Sequence, residues 1–193
     1  MIFPYLESAF QGKIPTVLLS LKKVFFRSHL QNHFSCIFRS FLTYIRTYRK
    51  EGEKIARCKY ITKDIDLLGR IMRSEALGEG NFGMLLVGNV VINRVVASCD
   101  VFKNTTTIQE VIYQKNAFEG VGTDLWFGKA NGKERELALK CINGYRADPA
   151  TKALWYRNPG RDVPCPPEFY GVLAGRFKQH CFYDPKANLD CNI

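Results

Sequence analysis

Histidine is scarce in this 193-residue chain: His29, His33 and His180 are the only three. Only His180 lies in the part that reads as a folded body. A hydrolytic zinc centre usually draws on two or more histidines with a carboxylate, and the body does not carry that set. Seven cysteines (Cys36, Cys58, Cys99, Cys141, Cys165, Cys181, Cys191) include no pair at CxxC spacing, so no closed zinc site is legible. A serine nucleophile is equally unsupported, since no G-x-S-x-G elbow occurs. Cys181 follows His180 directly, but neighbours on a strand point to opposite faces, which removes that pair as nucleophile and base. Long apolar runs are missing too. The run Ile14–Leu21 contains Pro15 and is stopped by Lys22 and Lys23, far short of the roughly 20 residues that span a bilayer. With its basic pair behind the apolar core and no small-residue cleavage site, it does not read as a secretory signal.

The net charge of +10 is unevenly spread. Residues 1–60 hold 11 Lys/Arg against 3 Asp/Glu, which leaves only +2 for residues 61–193. The body therefore lacks the basic footprint of a nucleic-acid-binding domain. The chain's 46% hydrophobic residues are enough for a packed core. Two segments follow: a basic, aromatic-rich N-terminal extension over 1–60, and a compact domain over 61–193. Lys and Arg alternate with Phe and Leu in the extension (Phe25, Phe26, Arg27; Phe38, Arg39). That pattern suits contact with an anionic surface or a partner, and equally an extension without a role. The charged stretch Arg49–Lys59 reads as a linker.

In the body, helical periodicity comes first. Asp64–Gly80 puts Ile65, Leu68 and Met72 on one stripe, and Gly78 with Gly80 ends the helix. Gly83–Ala97 forms a second, strongly apolar helix. On it Asn89 and Asn93, four apart, are either surface amides or cleft-lining groups. Thr107-x-x-Glu110 is a capping box before a short helix, and Lys133–Gly144 is a further helix stopped by Gly144. The period then changes. Ala153–Arg157 reads as a strand, and Arg176–Tyr183 as a second one with Lys178 and His180 on a shared face. Helices first and strands last indicate an α+β fold. Cys99 and Cys141 read as core cysteines, and the cysteines after residue 164 allow a disulfide in an oxidising setting.

Glu75 extends the apolar stripe of the first helix, with Glu79 at i+4 leaning the same way. A carboxyl held against apolar surface raises its pKa and keeps its proton, which a general acid requires near neutral pH. The alternative is a solvated glutamate on the helix flank. A two-carboxylate glycosidase would also need a partner, with Glu79, Glu119 and Asp148 as candidates. A single acid suffices where a hydroxyl of the substrate is the nucleophile. Phe118, Trp126, Phe127, Trp155, Tyr156 and Tyr170 offer stacking faces for sugar rings or, individually, core packing.

Several ordered motifs go further: RSEALGEG (73–80), GMLLVGNVVINRV (83–95), TIQEVIYQ with AFE (107–114, 117–119), LWYRNP (154–159) and RFKQHCFY (176–183). Together they resemble the SleB/CwlJ family of bacterial cell-wall hydrolases, and within it the spore cortex-lytic branch of germination. Lys115-Asn116 departs from the Pro-His or Pro-Gly expected after the YQ pair. The resemblance implies a lysozyme-like, lytic-transglycosylase-like α+β fold with peptidoglycan as substrate and Glu75 as catalytic acid. Candidate substrate-binding side chains are Glu79, Asn93, Gln114, Phe118, Trp155, Tyr156, Asn158 and His180, with no metal ligand assigned. It also implies synthesis in the mother cell and a place at the boundary of spore coat and cortex. Calcium dipicolinate is implied as an activator, together with a small coat partner. Cleavage of the glycan strand is the favoured activity. An N-acetylmuramoyl-L-alanine amidase, or a non-catalytic coat or wall-binding protein, are the alternatives.

Overall fold

A computed structural model describes residues 55–193, so the extension and most of the expected linker lie outside the described residues. Where description begins, Arg57 is already tied to the body. Its main-chain N–H donates to Ile142 O (2.8 Å) and its Nη2 to Asn93 Oδ1 (2.7 Å).

The first helix, α1 (Thr62–Ala76), buries Ile65, Leu68 and Met72 as the stripe requires, together with Leu67 and Ile71. Asp64 caps its start by accepting the Ile61 N–H at 2.8 Å. Ala76 leaves helical geometry at φ −141°, a single 3₁₀ turn covers Leu77–Glu79, and Gly80 takes φ +79°. That left-handed corner favours glycine, and it launches α2 (Gly80–Val96) three residues earlier than expected. α2 is buried on all sides from Gly83 to Val95, as a helix apolar around its circumference must be. A Cβ on Gly88 would stand 2.7 Å from Cys141 Sγ and 2.9 Å from Met72 Sδ, so this glycine lets three helices meet.

Asn89 and Asn93 are neither surface amides nor cleft residues. Both are fully buried. The Asn93 amide donates to Ala150 O (3.1 Å) and Ala153 O (2.9 Å) and accepts from Arg57. Asn89 is oriented to donate to Tyr145 O (2.6 Å) and accept from Ala147 N (3.2 Å). These amides satisfy main-chain groups of the irregular segment 145–153 that its own bond, Ala150 N–H to Ala147 O at 2.8 Å, leaves over, and the segment carries the chain to the sheet. Asn93→Ala strands those partners, and the expected result is a stability loss of about 2 kcal/mol, read from denaturant unfolding.

The short α3 (Ile108–Tyr113) has the expected capping box, Thr107 Oγ1 accepting from Glu110 N (3.2 Å) and Glu110 Oε2 from Thr107 N (2.9 Å). The last helix, α4 (Gly132–Ile142), is capped by Asn131 and ends before Gly144 at φ +94°.

Four antiparallel strands follow: β1 (Trp155–Arg157), β2 (Glu168–Phe169), β3 (Gly171–Phe177) and β4 (His180–Asp184), in the spatial order β1-β4-β3-β2. The expected single strand Arg176–Tyr183 is instead a hairpin, with Phe177 paired to His180 across Lys178 and Gln179. Lys178 sits at φ +48° and shares no strand face with His180. The cysteines follow expectation in two respects, a disulfide between two of those after residue 164 and Cys141 in the core, and depart from it at Cys99, which is bridged. Cys99 is bonded to Cys191, and Cys165 to Cys181, while Cys141 is a free core thiol. Helices first and a small sheet last give the α+β architecture.

Candidate active site

A cleft of about 1130 Å³ opens beside the C-terminal end of α1. Glu75 and Ser74 line one side, the loop 114–123 a second, and β1 with His180 a third. The helical stripe carries Glu75 into this wall, half buried, where its Oε1 accepts the Gly120 N–H at 2.5 Å. Only glycine permits that approach, because a Cβ at position 120 would stand 2.6 Å from Ser74 Oγ and 2.9 Å from Glu75 Oε1. Thr123 fixes the turn by donating its hydroxyl to Gly120 O at 2.8 Å.

Burial pushes the Glu75 carboxyl above the ordinary glutamate range. The Gly120 N–H, Tyr156 and the Arg94 cation pull it back, and neighbouring Glu119 pushes it further up. The Tyr156 hydroxyl is buried beside this carboxyl, close enough to couple to it, yet has no partner at hydrogen-bonding geometry. Burial and Glu75 together hold that hydroxyl protonated well beyond its usual range. Such a donor is available to a substrate oxygen or to the carboxylate once Glu75 gives up its proton.

Arg94 was missed by the sequence reading. It is buried on α2, its Nε donates to Leu154 O at 2.7 Å, and its guanidinium lies 4.8 Å from the Phe118 ring centre. Burial lowers it to about 10, against the pull of Tyr156 and Glu75, so it remains a cation at neutral pH. It is the only charged residue in the seventeen of α2. A lone charge inside an otherwise apolar helix is the signal that could have found it, since a buried charge needs a reason.

Arg73, next to the acid in sequence, organises the loop beyond. Its guanidinium donates to Leu125 O (2.7 Å), Phe127 O (2.9 Å), Gly128 O and Lys129 O (both 3.3 Å), and to Glu134 Oε2 (2.9 Å). One side chain thus gathers four carbonyls that the irregular loop cannot satisfy by itself.

Of the candidate residues, Glu75, Gln114, Phe118, Trp155, Tyr156, Asn158 and His180 share this cleft. Asn93 is behind it, as described, and Glu79 is not on its wall. The break at Ala76 turns Glu79 away from the direction a continuous helix would have given it. It is buried over Gly83, with Oε1 3.5 Å from His180 Nδ1 and its main-chain oxygen bonded by Lys178 Nζ at 2.7 Å. Glu79 therefore supports His180 from behind instead of meeting a ligand. Burial lowers the His180 pKa, partly offset by Glu79, and its ring lies 5.4 Å edge-on to Tyr156. Among the other carboxyls proposed as partners, Glu119 lines the cleft and Asp148 does not. Trp126 is buried under Arg70, 4.2 Å from its guanidinium, and neither it nor the exposed Phe127 faces the cleft. Among the described residues, no three His, Cys, Asp or Glu side chains converge as a metal site would need.

The family model described as "Cell Wall Hydrolase" matches residues 78–183, starting just past Glu75. The CwlJ cell wall hydrolase of Bacillus subtilis strain 168 is 48% identical over 131 residues, 67% of this chain and 91% of that protein. Its counterpart in Oceanobacillus iheyensis is 42% identical over 139 residues, 71% of this chain and 96% of that one. In three dimensions the catalytic domain of Bacillus cereus SleB superposes with a TM-score of 0.53 at 28% identity, covering 65% of this chain and 93% of that domain. The fold is that of the SleB catalytic domains, lysozyme-like helices beside a small antiparallel sheet. With the match spanning more than half the residues and running through the cleft-forming loop and sheet, the chain belongs to the cell wall hydrolase family.

Proposed function

We propose that this peptidoglycan hydrolase degrades the spore cortex during germination by breaking the glycan strand, with Glu75 as its acid. The observation that carries the proposal is Glu75 itself: a half-buried carboxyl with a raised pKa at the head of a cleft large enough for several sugar rings. Relatives named "Spore cortex-lytic enzyme" and a structure titled as the catalytic domain of a germination-specific lytic transglycosylase support the substrate and the bond. Deposition at the boundary of coat and cortex follows as part of the same proposal.

In this reading the neutral Glu75 donates its proton to the leaving glycosidic oxygen as the bond to the anomeric carbon breaks. The carboxylate left behind is stabilised by the Gly120 N–H and by Arg94. It then accepts the proton of a sugar hydroxyl that closes on the anomeric carbon, which restores the acid and leaves an anhydro end. Water attacking instead would give a free reducing end, and Glu119 is the cleft carboxyl available to activate it. Mass analysis of fragments from purified cortex peptidoglycan separates these outcomes. Anhydro-muramic ends are expected, reducing ends would indicate a muramidase, and peptides freed from intact strands would overturn the proposal in favour of an amidase.

The pH dependence has a definite sign. The donating form of Glu75 is protonated, and its fraction falls as pH rises through a pKa lifted above the usual carboxylate value. Turnover on the chemical step should therefore fall on the alkaline side of that pKa. Folding stability shifts in the same direction, because a carboxyl whose folded pKa is raised favours the native state at low pH and loses that contribution as it ionises. Single-turnover rates across pH 4–8 (a range bracketing roughly the carboxylate to histidine values) check the first statement.

A further inference from the structure

Tyr170 occupies a place that folding gives it no reason to hold. It is the lone residue between β2 and β3, where Phe169 faces Gly171 across the ladder, and its φ is +55°. That left-handed conformation disfavours any residue with a Cβ, and glycine or asparagine would adopt it more easily. Burial does not compensate, since the residue is 73% exposed. A strained, exposed aromatic at the rim of a functional cleft is the kind of outlier from which a binding role can be argued.

Its surroundings say what would be bound. The Tyr170 ring lies 6.5 Å from that of Trp155 at 32°, close to parallel, and 4.7 Å edge-on to Phe169. Trp155 rests over the bare backbone of Gly171, where a Cβ would stand 3.0 Å from its Cε3 and collide with Asp184 O. Tyr156 and Trp155, adjacent on β1, point to opposite sheet faces, yet both line the same cleft. The cleft therefore wraps around the free edge of β1, from Glu75 on the helical side to the Trp155–Tyr170 surface on the other. Its volume of about 1130 Å³ exceeds the roughly 300–1,000 Å³ of a drug-sized pocket. A compact ligand would occupy one side of that edge, whereas a polymer crosses it.

We infer that Trp155 and Tyr170 form a stacking subsite for a sugar ring of the glycan strand, beyond the ring whose bond Glu75 cleaves. The C–H face of a sugar is apolar and lies flat on an aromatic face, which a tilted two-ring platform presents. The inference rests on the glycan-cleaving reading and adds a second point of attachment to it. It explains why the strained position keeps an aromatic residue.

The test is sedimentation of the full chain with insoluble, purified cortex peptidoglycan on ice, alongside thermal unfolding. Tyr170→Gly removes the ring and the strain together. Its melting temperature should lie within about 2 °C of the parent's or above it, while apparent affinity falls about tenfold. Tyr170→Phe should bind like the parent, since the ring and not the hydroxyl makes the contact. Unchanged affinity in Tyr170→Gly overturns the subsite. So does a drop in affinity that follows a drop in melting temperature, or a Tyr170→Phe variant as weak as Tyr170→Gly. Failure of the cleavage reading shows separately, as peptides released from intact strands by the parent protein.

Discussion

Glu75→Gln yields a protein that folds like the parent and digests cortex peptidoglycan on the order of 10²–10⁴-fold more slowly, the usual worth of a positioned general acid. The amide keeps the shape of the carboxyl and can still accept the Gly120 N–H, so the cleft wall stays in place. What is lost is the transferable proton, because an amide cannot supply one at any accessible pH. Among the described residues no other carboxyl is placed to take over: Glu79 is buried behind His180, and Glu119 is exposed on the opposite loop. Removing a half-buried ionisable group also removes its desolvation cost, so the variant should melt at or slightly above the parent temperature. Turnover above about a tenth of the parent's would end the assignment of Glu75 as the acid.

Arg73→Met is expected to have the largest effect on stability. The methionine retains the aliphatic stem, while five guanidinium bonds to the 125–129 carbonyls and to Glu134 disappear. Glu134 keeps its bonds to Asn131, which softens the loss of its ion pair. A cost of about 3 kcal/mol is reasonable for breaking a buried pair and orphaning several acceptors. For a domain of this size that corresponds to a melting temperature lower by roughly 10 °C. The released loop runs directly on from the turn that presents Gly120 to Glu75, so activity measured well below the melting point should fall as well. A variant melting within about 1 °C of the parent would show that water replaces the guanidinium without loss.

Local rules were enough for much of the helical half. The Thr107–Glu110 capping box, the Gly144 stop and the Ile65–Met72 stripe are written in residues near one another, and the first helix delivers Glu75 to the cleft as its periodicity implies. The misses have long-range causes. Asn93 reads as a surface or cleft-lining amide because its partners, Ala150 and Ala153, lie 57 and 60 residues away. Cys99 finds Cys191 across 92 residues, a pairing no spacing rule contains. The hairpin at Lys178–Gln179 was hidden because its turn has no Gly, Asn or Pro, and the left-handed residue is a lysine held by Glu79 O. Glu79 was misplaced because helical spacing was carried through the kink at Ala76. The catalytic candidate was thus legible, and its setting was not: Arg94, Gly120 and the unpaired Tyr156 hydroxyl meet it only through tertiary packing.

The order of strands in the sheet has a consequence for synthesis. Glu75 is on the first helix of the body, and β1, which carries Tyr156, pairs with β4 alone. A chain leaving the ribosome therefore presents the carboxyl long before the wall opposite it can form. β1 remains without a neighbour until His180–Asp184 has emerged, and the Cys191 tail that ties back to Cys99 comes later still. Prematurely terminated products would hold the helices and the carboxyl group but no substrate groove. The order of elements along the chain thus withholds a wall-degrading activity until the strand that pairs with β1 has been made.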